Sequence, residues 1–233
     1  MGYMLEIQNV HKTFNLGTIN EKIALNGVNL NLNPGDFVTI IGGNGAGKST
    51  TLNAIAGVWP IDEGNIIVDG VDLTRLSEHK RAVHLGRVFQ DPMIGTAATM
   101  SIEENMAIAA RRGEHRGFRW GISKKEREQY KEQLKELNLG LEERLSSKVG
   151  LLSGGQRQAI TLLMAAMKKP KLLLLDEHTA ALDPKTAAKV LEISDKIIEE
   201  NQLTAMMVTH NMKDAIAHGN RLIMMHEGRV IYD

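Results

Sequence analysis

The sequence contains no cysteine, which excludes disulfides, thiolate zinc sites and cysteine nucleophiles. It also lacks an excess of either charge, because 28 Lys and Arg residues balance 28 Asp and Glu residues. Charged residues make up 24% of the chain at zero net charge, which is not typical of disordered tails or strongly basic nucleic-acid-binding proteins. We therefore expect no nucleic-acid partner. The 233 residues can form one large domain, with or without a subdomain.

Long hydrophobic runs are missing as well. The apolar run at residues 172–175 has four leucines, and the longest uninterrupted run of hydrophobic residues, at 162–167, has six residues. A membrane-spanning helix needs about 20 apolar residues, so the sequence predicts none. The N-terminus has no basic region followed by an apolar one and is not expected to be a signal peptide. We expect a protein inside the cell that reaches a membrane only through a partner.

The first third of the chain carries the periodicity of strands. Apolar residues alternate with asparagines at 28–32, and a largely β-branched run at 37–41 leads into a glycine cluster. A helix is predicted from Lys48 to Ala56, with Gly57 as its end. The apolar run at 66–68, followed by Asp69 and Gly70, predicts a hairpin.

The middle of the chain predicts a mostly helical insert over residues 91–149. Ser101 and Ser123 are each followed three residues later by Glu, the spacing of a capping box at a helix start. After the insert, strands and helices alternate, which predicts a largely parallel, buried sheet. The predicted elements outside the insert are strands at 85–89, 171–175, 204–208, 222–225 and 230–232, a helix opening at Asp183-Pro184, and a short helix after 208.

One glycine-rich segment fits the phosphate-loop pattern G-x-x-x-x-G-K-[ST]. Glycines allow successive backbone N–H groups to surround a phosphate, and the following helix directs its positive end at the same anion. Lys48 would face the terminal phosphates and the Ser49 hydroxyl could ligate Mg²⁺. The alternative is an ordinary glycine-rich turn before a helix. The segment reads Gly42-Gly43-Asn44-Gly45-Ala46-Gly47-Lys48-Ser49.

Two carboxylates, Asp176 and Glu177, follow the leucine run at 172–175. Carboxyl ends of parallel strands line the ligand crevice of such a sheet. Adjacent residues on a strand point in opposite directions, so the two acids should have different tasks. Asp176 suits Mg²⁺ binding, and Glu177 suits orienting or deprotonating a water molecule. A strand end with solvated acids is the simpler alternative.

The segment Leu152-Ser153-Gly154-Gly155-Gln156-Arg157-Gln158 resembles the signature of ATP-binding cassette (ABC) ATPases. A Ser cap alone explains a helix start but not two consecutive glycines, which weaken a helix. The resemblance extends over essentially the whole chain, with the motifs in the family's order. Phe14 resembles the aromatic residue that stacks on adenine, Gly42–Ser49 resembles the Walker A loop, and Gln90 resembles the Q-loop glutamine. Further along the chain, Asp176-Glu177 resembles Walker B, Ala181-Leu182-Asp183 resembles the D-loop, and His210 resembles the switch histidine.

The resemblance implies an α/β fold: a P-loop NTPase core with an N-terminal antiparallel β subdomain and a helical subdomain insert. Residues 1–233 would form a single ABC ATPase domain, with 1–90 and 150–233 as core and 91–149 as helical subdomain. The implied cofactors are ATP and Mg²⁺. The implied catalytic residues are Glu177, His210 and Gln90, and the implied metal ligands are Ser49, Gln90 and Asp176. The implied nucleotide contacts are Phe14, Gly42, Gly43, Asn44, Gly45, Ala46, Gly47, Lys48, Ser49, Thr50, Ser153, Gly154, Gly155, Gln156 and Asp183.

Several assignments have alternatives. Tyr3 is a distant competitor of Phe14 for adenine stacking, and Gln90 could begin an ordinary turn with the residues after it. His178 stands where many relatives carry Pro, and we interpret it as family variation that is neither catalytic nor metal-binding. The segment 111–127 holds seven basic residues, with Phe118 and Trp120 among them. It is either a solvated face or a contact with a permease or anionic lipid.

The resemblance implies the ATP-hydrolysing subunit of an ABC transporter, most similar to stand-alone subunits of bacterial importers. Its partners would be a separate transmembrane permease, a second copy in an ATP-dependent head-to-tail homodimer, and an extracytoplasmic substrate-binding protein. It would lie on the cytoplasmic face of the membrane through the permease. The alternative is the ABC ATPase of a non-transport complex such as a cell-division complex. A P-loop kinase is weaker, because the signature and His210 would then have no task.

Overall fold

The computed structural model describes residues 2–114 and 121–233, which form an α/β structure with two sheets. No helix in these ranges is both long and apolar enough to cross a membrane. The strands are β1 (Leu5–Phe14), β2 (Lys22–Leu32), β3 (Phe37–Ile41), β4 (Glu63–Val68), β5 (Val71–Asp72), β6 (Leu85–Val88), β7 (Leu172–Asp176), β8 (Thr204–Val208), β9 (Arg221–His226) and β10 (Arg229–Tyr232). The α-helices are α1 (Lys48–Ala56), α2 (Glu78–Arg81), α3 (Ile102–Ala110), α4 (Lys124–Lys135), α5 (Gly154–Ala166), α6 (Pro184–Glu200) and α7 (Met212–Ala217), with 3₁₀ turns at Glu142–Arg144 and Val149–Leu151.

The larger sheet has the strand order β10-β9-β3-β8-β7-β6. Strand β3 pairs in parallel with both β8 and β9, and β7 pairs in parallel with β8. Every residue of β3 and β8 is buried, as expected for parallel strands covered on both faces. The predicted parallel, buried sheet is therefore confirmed, and it brings the carboxyl ends of these strands to one edge.

The smaller sheet is antiparallel and has the order β2-β1-β4-β5. Its apolar residues and those of the larger sheet contribute to one buried cluster, in which Leu5, Leu32, Leu52 and Leu172 are fully buried. The sequence indicated strands in this region but gave no bounds for β1, whose pairing is interrupted by register shifts. Such irregularity blurs the period-two pattern on which sequence-based strand prediction depends.

The chain packs as two compact units. The first contains the described residues up to Arg87 together with Pro170–Glu177 and Ile198–Asp233. The second contains the described residues of Val88–Lys169 and His178–Ile197. Both sheets lie in the first unit except for the last residue of β6, and α3, α4 and α5 lie in the second. The subdomain boundaries expected at residues 91 and 149 stay a prediction.

Capping boxes begin three helices of the second unit. Ser101 before α3 and Ser123 before α4 each accept from the N–H of the Glu three residues later, and that Glu side chain accepts from the Ser N–H. Both predicted helix starts are confirmed. Ser153 caps α5 in the same manner, with Gln156 as the reciprocal acceptor.

A buried arginine explains the short helix α2, which the sequence pattern did not predict. Four residues are too few to show helical periodicity, but α2 places the Arg81 side chain, only 3% exposed, beside the end of α1. There it satisfies carbonyls that a helix end leaves without partners. Its guanidinium donates to the carbonyls of Ala54 (2.7 Å), Ile55 (2.9 Å), Leu76 (2.8 Å) and Thr74 (3.0 Å).

Replacing Arg81 with Met should lower the free energy of unfolding by about 3 kcal/mol, because buried carbonyls lose their charged donor. Urea denaturation of the purified protein measures this difference. Lys80→Met at the exposed neighbouring position is the matched control and should change stability by less than about 0.5 kcal/mol. Equal midpoints for the two variants would contradict the assigned role of Arg81.

Candidate functional site

The predicted phosphate loop lies between β3 and α1, and glycine is sterically required at positions 42 and 47. Gly42, Gly45 and Gly47 have positive φ angles of 152°, 79° and 100°. A Cβ on Gly42 would lie 2.3 Å from the carbonyl oxygen of Met225, and one on Gly47 would lie 2.7 Å from that of Ala24. The loop backbone can therefore pass this close to its neighbours only with glycine at these positions.

The start of α1 is open to an anion. No side chain caps its first N–H groups, because the capping position is Gly47. Lys48 is only 7% exposed, and its Nζ donates to the carbonyls of Gly42 (2.8 Å) and Gly43 (3.2 Å). Uncapped N–H groups, a helix N-terminus and an ammonium group thus converge on one loop, which suits phosphate.

Asp176, at the end of β7, meets the first turn of α1. The Ser49 hydroxyl donates to its Oδ1 at 3.0 Å, and Arg87 Nη2 lies 3.7 Å from its Oδ2. Burial raises the pKa of the Asp176 carboxyl above its ordinary value of 3.8, although Ser49 and Arg87 act in the opposite direction. The raised pKa means that the ionised carboxylate costs folding stability at neutral pH; this cost fades as the pH falls through the raised pKa of the folded protein and is gone below 3.8.

This oxygen pair fits Mg²⁺ held mainly by a nucleotide. Mg²⁺ commonly keeps several waters and takes one or two protein oxygens together with substrate phosphates. Ser49 and Asp176 present a hydroxyl and a carboxylate oxygen side by side. Within the described residues no cluster of three His, Cys, Asp or Glu side chains could form a metal cage on its own. The donor set is thus suited to a metal–nucleotide complex.

Glu177 and His210 face each other at the ends of neighbouring strands. His210 follows β8, and its Nδ1 lies 3.6 Å from Glu177 Oε2. Glu177 has a positive φ of 45°, and its N–H donates to the carbonyl of Val208 at 3.0 Å. A left-handed conformation at a non-glycine residue costs about 1–3 kcal/mol, and such strain clusters at functional sites. The Glu177 side chain is 22% exposed, which allows contact with water.

Phe14 ends β1 on the side of the phosphate loop. It is paired in register with Lys22, whose Nζ lies 3.3 Å from the place a Cβ on Gly45 would occupy. Its ring packs edge-to-face on Trp59, with centroids 4.9 Å apart and planes at 82°. Tyr3, the competitor, precedes the opposite end of β1. Adenine stacking by Phe14 stays a prediction.

In the second unit, the signature segment forms the N-terminus of α5. Gly155 is buried, and a Cβ on it would lie 2.2 Å from Cγ2 of Thr186. A Cβ on Gly154 would lie 3.2 Å from Cδ2 of Leu182. Close packing against the start of α6 therefore explains why position 155 is a glycine. The sequence pattern alone did not supply this structural reason.

Other predicted residues of this unit already serve local contacts. The Asp183 carboxylate caps α6 by accepting from the Thr186 N–H at 3.1 Å, and these hydrogen bonds lower the pKa of Asp183. Gln156 Oε1 accepts from the Ser153 N–H at 3.2 Å. Gln90 is exposed just after β6. Their proposed contacts with nucleotide stay predictions.

His178 has a structural partner. The side chain is 2% exposed, and its Nε2 lies 3.0 Å from the Ser194 hydroxyl on α6. That hydroxyl donates to the Val190 carbonyl, so it accepts from the imidazole. The contact agrees with the interpretation of His178 as neither catalytic nor metal-binding.

The basic segment 111–127 is only partly described, since residues 115–120, with Phe118 and Trp120, lie outside the described residues. At its two ends the arginines pair with carboxylates. Arg111 Nη2 lies 2.7 Å from Glu126, and Arg127 contacts Glu103 through two nitrogens. These pairs do not test the predicted permease or lipid contact.

With this geometry in place, comparison with known proteins is decisive. The sequence family described as "ABC transporter" matches residues 25–180. The chain belongs to the ABC transporter family. The predicted P-loop NTPase fold and the predicted ATP-binding cassette are therefore confirmed, and the ABC signature lies in the matched range. The ATP contacts predicted for the phosphate loop and the strand-end acids stay predictions.

Known ABC proteins align with nearly the whole chain. The tyrosine transport ATP-binding protein of Clostridioides difficile is 43% identical over 99% of this chain and 91% of its own length. The spermidine/putrescine import ATP-binding protein of Haemophilus influenzae is 34% identical over 99% of this chain, which spans only 57% of that relative. A dimeric ATP-binding cassette solved after hydrolysis with ADP and phosphate matches with a TM-score of 0.82 at 33% identity, over 98% of this chain and 97% of the other.

Sequence reasoning missed four residues near the ABC site. Lys22 and Trp59 border the phosphate loop and Phe14, and neither belongs to a recognisable motif. Arg87, which adjoins Asp176, and Asn53, which accepts a hydrogen bond from Arg87, were also missed. A signal for Arg87 existed, since it is a charged residue inside the otherwise apolar strand β6.

The glycine contact at α5 gives a prediction. Gly155→Ala should lower the free energy of unfolding by about 1–3 kcal/mol, because the new methyl group overlaps the Thr186 methyl. Thr186→Ser removes that methyl while leaving the backbone cap in place, so the double variant should recover most of the loss. Thermal unfolding of the single and double variants measures the coupling. Strictly additive effects of the two substitutions would contradict the packing argument.

Proposed function

We propose that this chain is the ATP-hydrolysing subunit of a bacterial ABC importer and energises a separate membrane permease. The observation that carries the hydrolytic part is the Ser49–Asp176 hydrogen bond beside the Glu177–His210 pair. Phosphate binding, metal binding and water activation thus have residues at adjacent strand ends. A protein that only binds nucleotide would need the Ser49–Asp176 part but not the Glu177–His210 pair.

Each residue has a chemical task in this proposal. Lys48 and the N–H groups of the phosphate loop bind the terminal phosphates of ATP. Ser49 and Asp176 would hold Mg²⁺, which would neutralise developing phosphate charge, and Gln90 as a further ligand stays a prediction. Glu177 accepts the proton of the attacking water, while His210 hydrogen-bonds the γ-phosphate and helps to hold that water.

We further infer that two copies of the chain bind two ATP molecules head to tail. The N-terminus of α5, with Ser153, Gly154 and Gly155, would face the γ-phosphate held by the other copy. The similar cassette solved as a dimer with ADP and phosphate supports this arrangement. ATP then contributes contacts to both copies, which makes dimerisation dependent on ATP. Asp183 and Gln156 would add contacts near the same nucleotide.

Glu177→Gln should bind ATP but hydrolyse it about 10²–10⁴-fold more slowly, because the amide cannot accept the proton. It should also accumulate an ATP-dependent dimer. Phosphate release and size-exclusion chromatography with and without ATP measure these effects.

Lys48→Ala is the control for nucleotide binding, since it should weaken ATP binding about tenfold or more and leave the chain monomeric. Hydrolysis by Glu177→Gln at a rate near that of the wild type would remove Glu177 as the base.

Transport is supported by the relatives. Those at 33–43% identity are named for tyrosine transport, spermidine/putrescine import and methionine import. We propose that this chain likewise acts at the cytoplasmic face of the membrane, with a permease and an extracytoplasmic substrate-binding protein as partners. A cell-division complex would use the same ATPase chemistry and is the alternative that the test must separate.

The test is purification of the native complex from membranes through a tag on this chain, with mass spectrometry of the co-purifying proteins. An importer predicts a permease with several membrane spans, and ATP hydrolysis by the complex that rises with its substrate-binding protein. Recovery of a division-complex membrane protein without a permease would refute the transport assignment. ATPase measurements on the same preparation would still test the hydrolytic role.

A further inference from the structure

Arg87 is an unexpected charge beside the Asp176 carboxylate. It lies on β6, next to β7, which ends at Asp176. Both side chains are only 14% exposed, and Arg87 Nη2 lies 3.7 Å from Asp176 Oδ2. Burial lowers the pKa of Arg87, while Asp176 opposes that shift. Burying a guanidinium is costly unless it is paired, so its place here needs an explanation.

A second contact fixes the direction of this guanidinium. Arg87 Nη2 donates to Asn53 Oδ1 at 2.6 Å. Asn53 is four residues after Ser49 on α1, so the two side chains lie on the same helix face. Ser49 in turn donates to Asp176 Oδ1. The contacts therefore join Ser49, Asp176, Arg87 and Asn53 into a ring, which the backbone of α1 closes between Ser49 and Asn53.

This ring determines how the carboxylate is turned. Rotation about the bond to a carboxylate group is soft, so a single hydrogen bond leaves its orientation poorly defined. Here Ser49 engages one oxygen and Arg87 faces the other. One nitrogen, Arg87 Nη2, meets both Asn53 and Asp176, and the rigid plane of the guanidinium fixes its direction better than the flexible stem of a lysine fixes an ammonium.

We propose that Arg87, anchored by Asn53, is a positioning residue that holds the Asp176 carboxylate in the orientation needed for the Mg²⁺–ATP complex. This inference rests on the proposed ATPase function. It extends the site beyond the motif residues, because Arg87 acts on the metal through Asp176. Partners of this kind commonly change metal affinity about 10–100-fold when they are removed.

The test compares the affinity of a fluorescent ATP analogue in Mg²⁺ with its affinity in EDTA, for the full-length chain. The ratio of the dissociation constant in EDTA to that in Mg²⁺ measures how much the metal strengthens binding. In Arg87→Gln the ratio should fall about tenfold, while the EDTA value stays within about twofold of wild type. The KM for ATP at saturating Mg²⁺ should rise by a similar factor, and the Mg²⁺ concentration for half-maximal hydrolysis should also rise.

Two further variants separate positioning from charge and from folding. Arg87→Lys keeps the positive charge but not the fixed contact with both Asn53 and Asp176. Its ratio should therefore also fall well below that of the wild type. Asn53→Ala keeps both charges and releases the anchor, so it should shift the ratio in the same direction and remains informative if Arg87→Gln folds poorly. Arg75→Gln, at an exposed arginine of the same unit, is the matched control and should behave as wild type.

The outcomes are distinct. If Arg87→Gln or Asn53→Ala kept the wild-type ratio, the inference would be overturned, even if the variant had lower thermal stability. Full recovery in Arg87→Lys would also overturn it, because charge alone would then suffice. If the wild-type chain bound no ATP in either buffer, the proposed function itself would fail.

Discussion

The structure depends on a steric constraint, the close approach of the phosphate loop to neighbouring backbone. Positions 42 and 47 tolerate no Cβ, because carbonyl oxygens of other strands occupy that space. This contact fixes where α1 begins. The start of α1 in turn determines the positions of Lys48 and Ser49, and through the Ser49 hydrogen bond it meets the end of β7. A side chain at either position would therefore displace the loop and the residues that it places.

The parallel sheet supplies the other half of this arrangement. Asp176 and Val208 are register partners, as are Val208 and Ile40, so three strands end at the same level. Residues that follow these strands are brought together although they lie far apart in the sequence. The glycine loop, the paired acids and His210 are all of this kind. Chemistry at the strand ends is a consequence of strand direction and register.

Prediction from sequence succeeded where a residue type is dictated locally. The helix at Lys48–Ala56 and the strand at Phe37–Ile41 have the expected bounds, because a glycine end and a β-branched run leave few alternatives. The phosphate loop and the strand-end acids also follow from pattern. Arg81 and Arg87 could not be placed, since their partners are distant backbone and side chains. Gly155 was recognised by resemblance, but its packing reason needs the position of α6.

The strained backbone at Glu177 has a consequence for attempts to make this protein more robust. Glycine or asparagine would adopt its positive φ more readily, and neither is a base. The adjacent buried Asp176 has a raised pKa, so a neutral amide would also be easier to fold there. A screen that rewards thermal resistance alone would thus favour inactive proteins at two consecutive positions. Under the proposed function, this edge of the sheet is a place where folding and turnover demand opposite residues.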